Sequence, residues 1–234
     1  MSVNRQSLTL TGPLAKSFPS KPSNPKVPMS KILVVNSSPR QERSISRKLT
    51  NDFVQGWLKQ HPESKVVTRD VALQPVPPVT EAWIIGAFAP PDALTPDAKA
   101  AINISNELVD ELLSADRYVF AVPMYNFNIP STFKAYIDQI VRVGRTFSVG
   151  ANGYQGLLKD KKAIFVTSSG GSFPAGSPYA AYNFQEPYLR AVAAFIGITD
   201  VQFVVADSQA LGDDAAQNSV AKSEATLKDL VTSW

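Results

Sequence analysis

Cysteine is absent from the chain, which removes disulfides, thiol redox chemistry and thiolate metal sites together. Histidine is almost as scarce: His61 stands alone, just before Pro62 at the end of a helical pattern. A histidine satisfied at a helix terminus is the ordinary finding there, and a Ser/His/acid triad or a histidine-rich metal site lacks material. No run approaches ~18 consecutive apolar residues, so no segment reads as a membrane-spanning helix. Neither a Gly-rich loop ending in Gly-Lys-Ser/Thr nor a GxGxxG pattern occurs, which argues against the usual phosphate and dinucleotide fingerprints. Redox or group-transfer chemistry, if present, must come mainly from a bound cofactor.

Acidic residues are missing from positions 1–28, which carry Arg5, Lys16, Lys21 and Lys26. These account for the formal net charge of +3; positions 29–234 hold 19 basic and 20 acidic residues. The near-neutral remainder supports neither a nucleic-acid footprint nor an anionic-membrane one. Five prolines (13, 19, 22, 25 and 28) and several serines set the same stretch apart. It reads as a disordered or dispensable extension, with an organelle transit segment as the alternative. The 44% hydrophobic and 18% charged composition suits one globular domain over 29–234.

From residue 31 onward, strand and helix patterns alternate. Lys31–Asn36, Val66–Asp70, Tyr118–Val122, Ala163–Thr167 and Val201–Ala206 are short, mostly apolar runs that read as parallel strands. Ile45, Leu49, Phe53 and Trp57 mark one face of the first helix. Thr95-Pro96-Asp97 supplies a cap, an N1 proline and a first-turn acid for a helix running to about Ser114. Further helices are expected over Ser131–Val143, Gln185–Ile196 and Asp213–Val231, with a small hairpin within Thr146–Gly156. Five such units predict an α/β, flavodoxin-like three-layer sandwich: a five-stranded parallel sheet in order 2-1-3-4-5, with helices on both faces. Its ligand crevice lies beyond the carboxyl ends of strands 1 and 3.

Three loops fall at that edge. Ser37–Ser46 offers hydroxyls and helix-start N–H groups to a phosphate, with Ser38, Ser44, Ile45 and Ser46 as candidates and Arg40 and Arg43 nearby. Pro123–Pro130 is aromatic and rich in amides; Met124, Tyr125, Asn126 and Phe127 suit a flat heteroaromatic ring. Thr167–Phe173 follows the fourth strand, where Ser168, Ser169, Gly170 and Gly171 permit close backbone approach. Each loop has a plainer counterpart: a helix cap at Ser44, aromatics closing the core, a simple turn. Their coincidence at one sheet edge is the stronger signal.

Residues 29–234 resemble the FMN-dependent NADH-azoreductases, which also act as NADH:quinone oxidoreductases. The resemblance rests on Ser37-Ser38 with Ser44-Ile45-Ser46, on Pro123-Met124-Tyr125-Asn126-Phe127-Asn128, on Thr167–Gly171, and on Gly197-Ile198-Thr199-Asp200. It implies FMN as cofactor, with Ser38 and Ser44–Ser46 at the phosphate and ribityl end and Met124–Phe127 and Ser168–Gly171 at the isoalloxazine. It further implies an enzyme with NADH as co-substrate, passing a hydride by ping-pong exchange to quinones or azo compounds. The flavin carries the chemistry, so no side chain need be a catalytic nucleophile. A homodimer is implied as well, with partner-chain aromatics closing the pocket; Phe173, Tyr179, Tyr182 and Phe184 are candidates, beside a core or surface role. A cytoplasmic location follows, or an organellar one if residues 1–28 are a transit segment. Two departures bear on the acceptor: Pro39–Arg43 is more charged than the corresponding loop, and Val149 stands where some relatives place an aromatic. The alternatives are a flavodoxin-type electron-transfer protein and a non-catalytic flavin-binding module.

Overall fold

The structure is a computed structural model that describes residues 30–234; the expected extension at 1–28 lies outside the described residues. Within it, β1 (Lys31–Asn36), β3 (Arg117–Pro123) and β6 (Lys162–Ser168) form the centre of a parallel sheet, and β2 (Lys65–Asp70) and β7 (Asp200–Ala206) its edges. The order is β2-β1-β3-β6-β7, which is 2-1-3-4-5 once the separate hairpin is set aside. The three central strands are buried on both faces, and that is why they read as unbroken apolar runs. The edge strands admit Thr68, Arg69, Asp200 and Gln202.

Alternation along each strand divides the core in two. Leu33, Val35, Tyr118, Phe120 and Phe165 face α3 (Pro96–Ser114), α4 (Ser131–Ile140) and α5 (Gln185–Ile196). Ile32, Val34, Val119, Ile164 and Val166 face α1 (Ile45–Gln60) and α6 (Asp213–Ser233). The face expected of the first helix is the buried one: Leu49, Phe53 and Trp57 are all in the core. A short α2 (Glu81–Phe88), capped by the Thr80 side chain, precedes α3. Thr95 caps α3 through the Ala98 N–H, as its sequence pattern predicts.

One expected boundary is corrected. α4 ends at Ile140 and not at Val143. The Thr146 hydroxyl donates to the Ile140 carbonyl at 2.8 Å and accepts the Arg142 N–H at 2.8 Å, so it takes over the bonds that would continue the helix. The hairpin forms as β4 (Phe147–Gly150) and β5 (Gly153–Gly156). Its last residue lies against the end of α5: a Cβ on Gly156 would stand 2.2 Å from the Gly197 nitrogen, while Gly197 itself caps α5 at φ +103°.

Register aligns the carboxyl ends of the strands. Asn36 pairs with Ala121, Pro123 with Ser168, and Ser168 with Ala206. The loops leaving β1, β3, β6 and β7 therefore open on one edge. The opposite edge is closed by Trp234, whose ring packs on Phe53 and Trp57 and shares the Arg117 guanidinium with Trp57.

Candidate active site

The β1–α1 loop is held by its serines. The Ser37 hydroxyl donates to the Ala121 carbonyl at 2.8 Å, joining the loop to β3. Ser38 is buried, and its hydroxyl accepts the Arg40 N–H. Ser44 caps α1 through the Arg47 N–H and stands 3.2 Å from the Ser46 hydroxyl. Ser44 is thus the helix cap that the plainer reading required, and it also lines the crevice together with Ser38, Arg40 and Ile45. The first-turn N–H groups of Ile45 and Ser46 have no intrahelical acceptor, and the positive end of the helix dipole meets this loop. Ser46 is fully buried behind Ser44, and Arg43 is exposed outside the crevice lining.

After β3 the chain makes a tight reversal. Tyr125 and Asn128 exchange backbone hydrogen bonds of 2.8 and 3.1 Å, while Asn126 and Phe127 both have positive φ, at 47° and 70°. This is a type I′ turn; asparagine tolerates it, but a phenylalanine there costs about 1–2 kcal/mol of backbone strain. The turn leaves the Asn126 and Phe127 N–H groups without intramolecular acceptors among the described residues. Met124 anchors it by donating its N–H to the Ser168 carbonyl at 2.7 Å. Tyr125 and Phe127 are 38% and 45% exposed, so these rings do not close the core. Phe127 instead meets Tyr182 and Phe173, with ring centres 5.3 and 6.1 Å apart. The Phe184 N–H donates to the Phe127 carbonyl, while the Phe184 and Tyr179 rings are exposed.

The Gly-Gly loop is oriented by its carbonyls. Gly170 and Gly171 accept the N–H groups of Ala210 and Ser208 at 2.9 and 3.2 Å, and the Ser169 hydroxyl also donates to Gly171. Their own N–H groups remain unspent among the described residues. Ser168, Ser169 and Gly170 line the same crevice as Met124 and Tyr125, a space of about 220 Å³. Gly171 lies just beyond; a Cβ on it would stand 3.1 Å from the Phe173 ring. A larger groove of about 560 Å³ adjoins through Met124 and Ser169 and runs toward Gln185 and Arg190.

Most of the residues singled out by sequence are thus brought together: Ser38, Ser44, Ile45, Met124, Tyr125, Ser168, Ser169 and Gly170 line the crevice directly. Asn126 and Phe127 form the turn above it, and Ser46 and Gly171 stand behind their neighbours. Sequence reasoning missed the loop after β7, from which Gln209 and Ala210 complete the wall. The only available signal was its position at the carboxyl end of the fifth strand. Asp207 braces that loop by accepting the hydroxyls of Ser172, Ser208 and Ser219. His61 is remote, stacked on Trp57 at the end of α1. Among the described residues no cluster of His, Cys, Asp or Glu could hold a metal.

A helix N-terminus rich in hydroxyls, facing a turn and a glycine loop that present free N–H groups, defines a mononucleotide-binding α/β protein. The chain belongs to the family described as Flavodoxin-like fold, whose profile matches residues 30–231. A protein of Trichormus variabilis named "FMN-dependent NADH:quinone oxidoreductase 2" is 56% identical over 207 residues, covering 88% of this chain and 100% of the relative. One of the same name from Pseudomonas putida is 45% identical over 200 residues, covering 85% and 98%. Among solved structures, azoreductase AzrA superposes with a TM-score of 0.82 at 26% identity, covering 88% of this chain and 100% of the other. An FMN-dependent NADH-azoreductase from Bacillus anthracis, solved in complex with FMN, gives 0.79 at 26% identity, covering 87% and 100%.

Proposed function

We propose that this protein is an FMN-dependent NADH:quinone oxidoreductase that also reduces aromatic azo compounds. The observation that carries the reading is that three loops with unspent N–H groups meet around one crevice at the β1/β3 switch point. Relatives of this length and similarity bear that name, which favours it over an electron-transfer flavodoxin or a passive flavin-binding module.

The residues suit FMN in kind. Ser38, Ser44 and Ser46, with the N–H groups of Ile45 and Ser46, would hold the phosphate and ribityl end. Met124, Tyr125, Asn126 and Phe127 would take one side of the ring, and Ser168, Ser169, Gly170 and Gly171 the other. FMN, when bound, supplies a hydride acceptor for NADH and a two-electron donor for a quinone or azo group. The protein contributes fixed dipoles: N–H groups of Asn126, Gly170 and Gly171 are preorganised to favour negative charge at the ring edge. Phe127, Phe173 and Tyr182 give an apolar wall against which a flat acceptor packs and water is excluded.

The exposed rings of Phe127, Tyr179, Tyr182 and Phe184 support a homodimer in which a second copy covers the mouth of the crevice. No described helix is long and apolar enough to cross a membrane, and dependence on NADH suits the cytoplasm. The deciding experiment is anaerobic addition of NADH to the flavin-loaded protein, followed by turnover with menadione and methyl red. Bleaching and catalytic NADH consumption are expected. Flavin that stays yellow would reject the enzyme reading in favour of an electron carrier.

A further inference from the structure

Arg47 is the least accessible of the ion-paired cations among the described residues. Its side chain is 11% accessible and that of its partner Asp70 19%, against 20% for Lys161, 30% for Arg69 and 54% for Lys48. Four hydrogen bonds engage its guanidinium. Nε and Nη2 donate to the Ser38 carbonyl at 2.9 and 2.7 Å; Nη1 and Nη2 donate to the two Asp70 carboxylate oxygens at 2.5 and 2.8 Å. A guanidinium has five N–H donors, so almost none of its capacity is left, and its charge is already matched by Asp70.

What the fork grips is informative. Ser38 lines the crevice, and the Arg47 N–H is the donor that the Ser44 cap accepts. Asp70 ends β2, sits beside Asn36 in the register, and is itself fixed by accepting the Ala72 and Leu73 N–H groups at 3.1 Å. Burial works to raise the Asp70 carboxyl, but Arg47 and these two N–H groups outweigh it and hold it below the ordinary value. Residues 39–43 between the two serines are exposed, so the loop has few other restraints.

We infer that Arg47 and Asp70 are positioning residues for the phosphate end of the cofactor site: the fork holds Ser38 and the start of α1 at the spacing a phosphomonoester requires, without touching the phosphate. The inference rests on the phosphate reading given above. Its consequence is a selective one. Loosening the clasp should weaken a ligand that carries the phosphate and leave the ring subsite, built from the β3 and β6 loops, as it was.

Apoprotein is titrated with FMN and with riboflavin, which lacks the phosphate, for the parent, Arg47→Met, Arg47→Lys and Asp70→Asn, with melting temperatures taken alongside. The parent should prefer FMN. Arg47→Met and Asp70→Asn should each weaken FMN by about tenfold or more, the loss of one net hydrogen bond, and change riboflavin by less than about twofold. Arg47→Lys should restore little, because an ammonium cannot span both acceptors with a planar fork. Asp70→Asn also separates positioning from direct charge: if Arg47 were itself the phosphate ligand, freeing its charge would tighten FMN, and that result overturns the inference. Equal loss of FMN and riboflavin overturns it too, since it marks a general structural role. A parent that binds both flavins equally would instead overturn the phosphate reading itself. If Arg47→Met does not fold, the Asp70→Asn pair of titrations carries the test.

Discussion

Gly170→Val is the sharpest probe of the ring side of the crevice. Gly170 lines the space of about 220 Å³ next to Met124, and a Cβ placed on it meets only the Ala210 Cβ at 3.4 Å. Its φ is not in the left-handed region, so a valine fits the backbone and the apoprotein should melt within about 2 °C of the parent. The added carbons instead occupy room that a planar ligand needs, and stiff β-branching prevents the side chain from swinging away. Overpacking of a filled site costs about 1–3 kcal/mol, and here it falls on the complex alone. The FMN dissociation constant should therefore rise about 5- to 150-fold. Quenching of FMN fluorescence on titration into apoprotein measures this directly. A dissociation constant within about twofold of the parent, with unchanged stability, would show that the ring does not approach this loop.

Three further outcomes are expected. Trp234→Ala removes the ring shared with Phe53, Trp57 and Arg117 at the opposite end of the sheet; it should cost about 3–5 kcal/mol and lower the melting temperature by about 6–20 °C, with FMN affinity unchanged in titration. Gly156→Ala drives a methyl into the Gly197 backbone at 2.2 Å, so thermal melting should show a loss of about 1–3 kcal/mol, beyond the usual effect of a surface alanine. Against the opposing effect of burial, Arg47 and two backbone N–H groups hold the Asp70 carboxyl below its ordinary value in the folded protein; the stability it adds is complete above the ordinary carboxylate value and is lost as pH falls through the lower folded one. Urea melts should accordingly show a parent advantage over Asp70→Asn that is constant above about pH 5 and shrinks below about pH 4, and an advantage that does not change with pH would count against the clasp.

The separation of roles between residues explains why some of this protein could be read in one dimension. Burial on both faces made the middles of β1, β3 and β6 apolar, and the 3.6-residue period placed Leu49, Phe53 and Trp57 on one side of α1. Local chemistry also announced the Thr95 cap and the hydroxyl-rich start of α1. Once parallel strands were expected, the edge carrying the ligand loops followed from topology alone. The end of α4 did not, because it depends on the Thr146 hydroxyl reaching back to Ile140, a bond with no periodic signature.

Sequence by itself therefore determined the strand and helix order, the exclusion of thiol and histidine chemistry, and which three loops would meet. Only the tertiary structure decided which groups in those loops are free to bind. It spent the Gly170 and Gly171 carbonyls on the loop after β7 and left their N–H groups open; it turned Asn126 and Phe127 into positive φ and kept Tyr125 and Phe127 out of the core. It also brought the Arg47 guanidinium onto both the carboxylate of Asp70, 23 residues away, and the carbonyl of Ser38. The reason is physical: periodic burial writes itself into composition along the chain, whereas hydrogen-bond satisfaction depends on which distant groups the folded chain brings within reach.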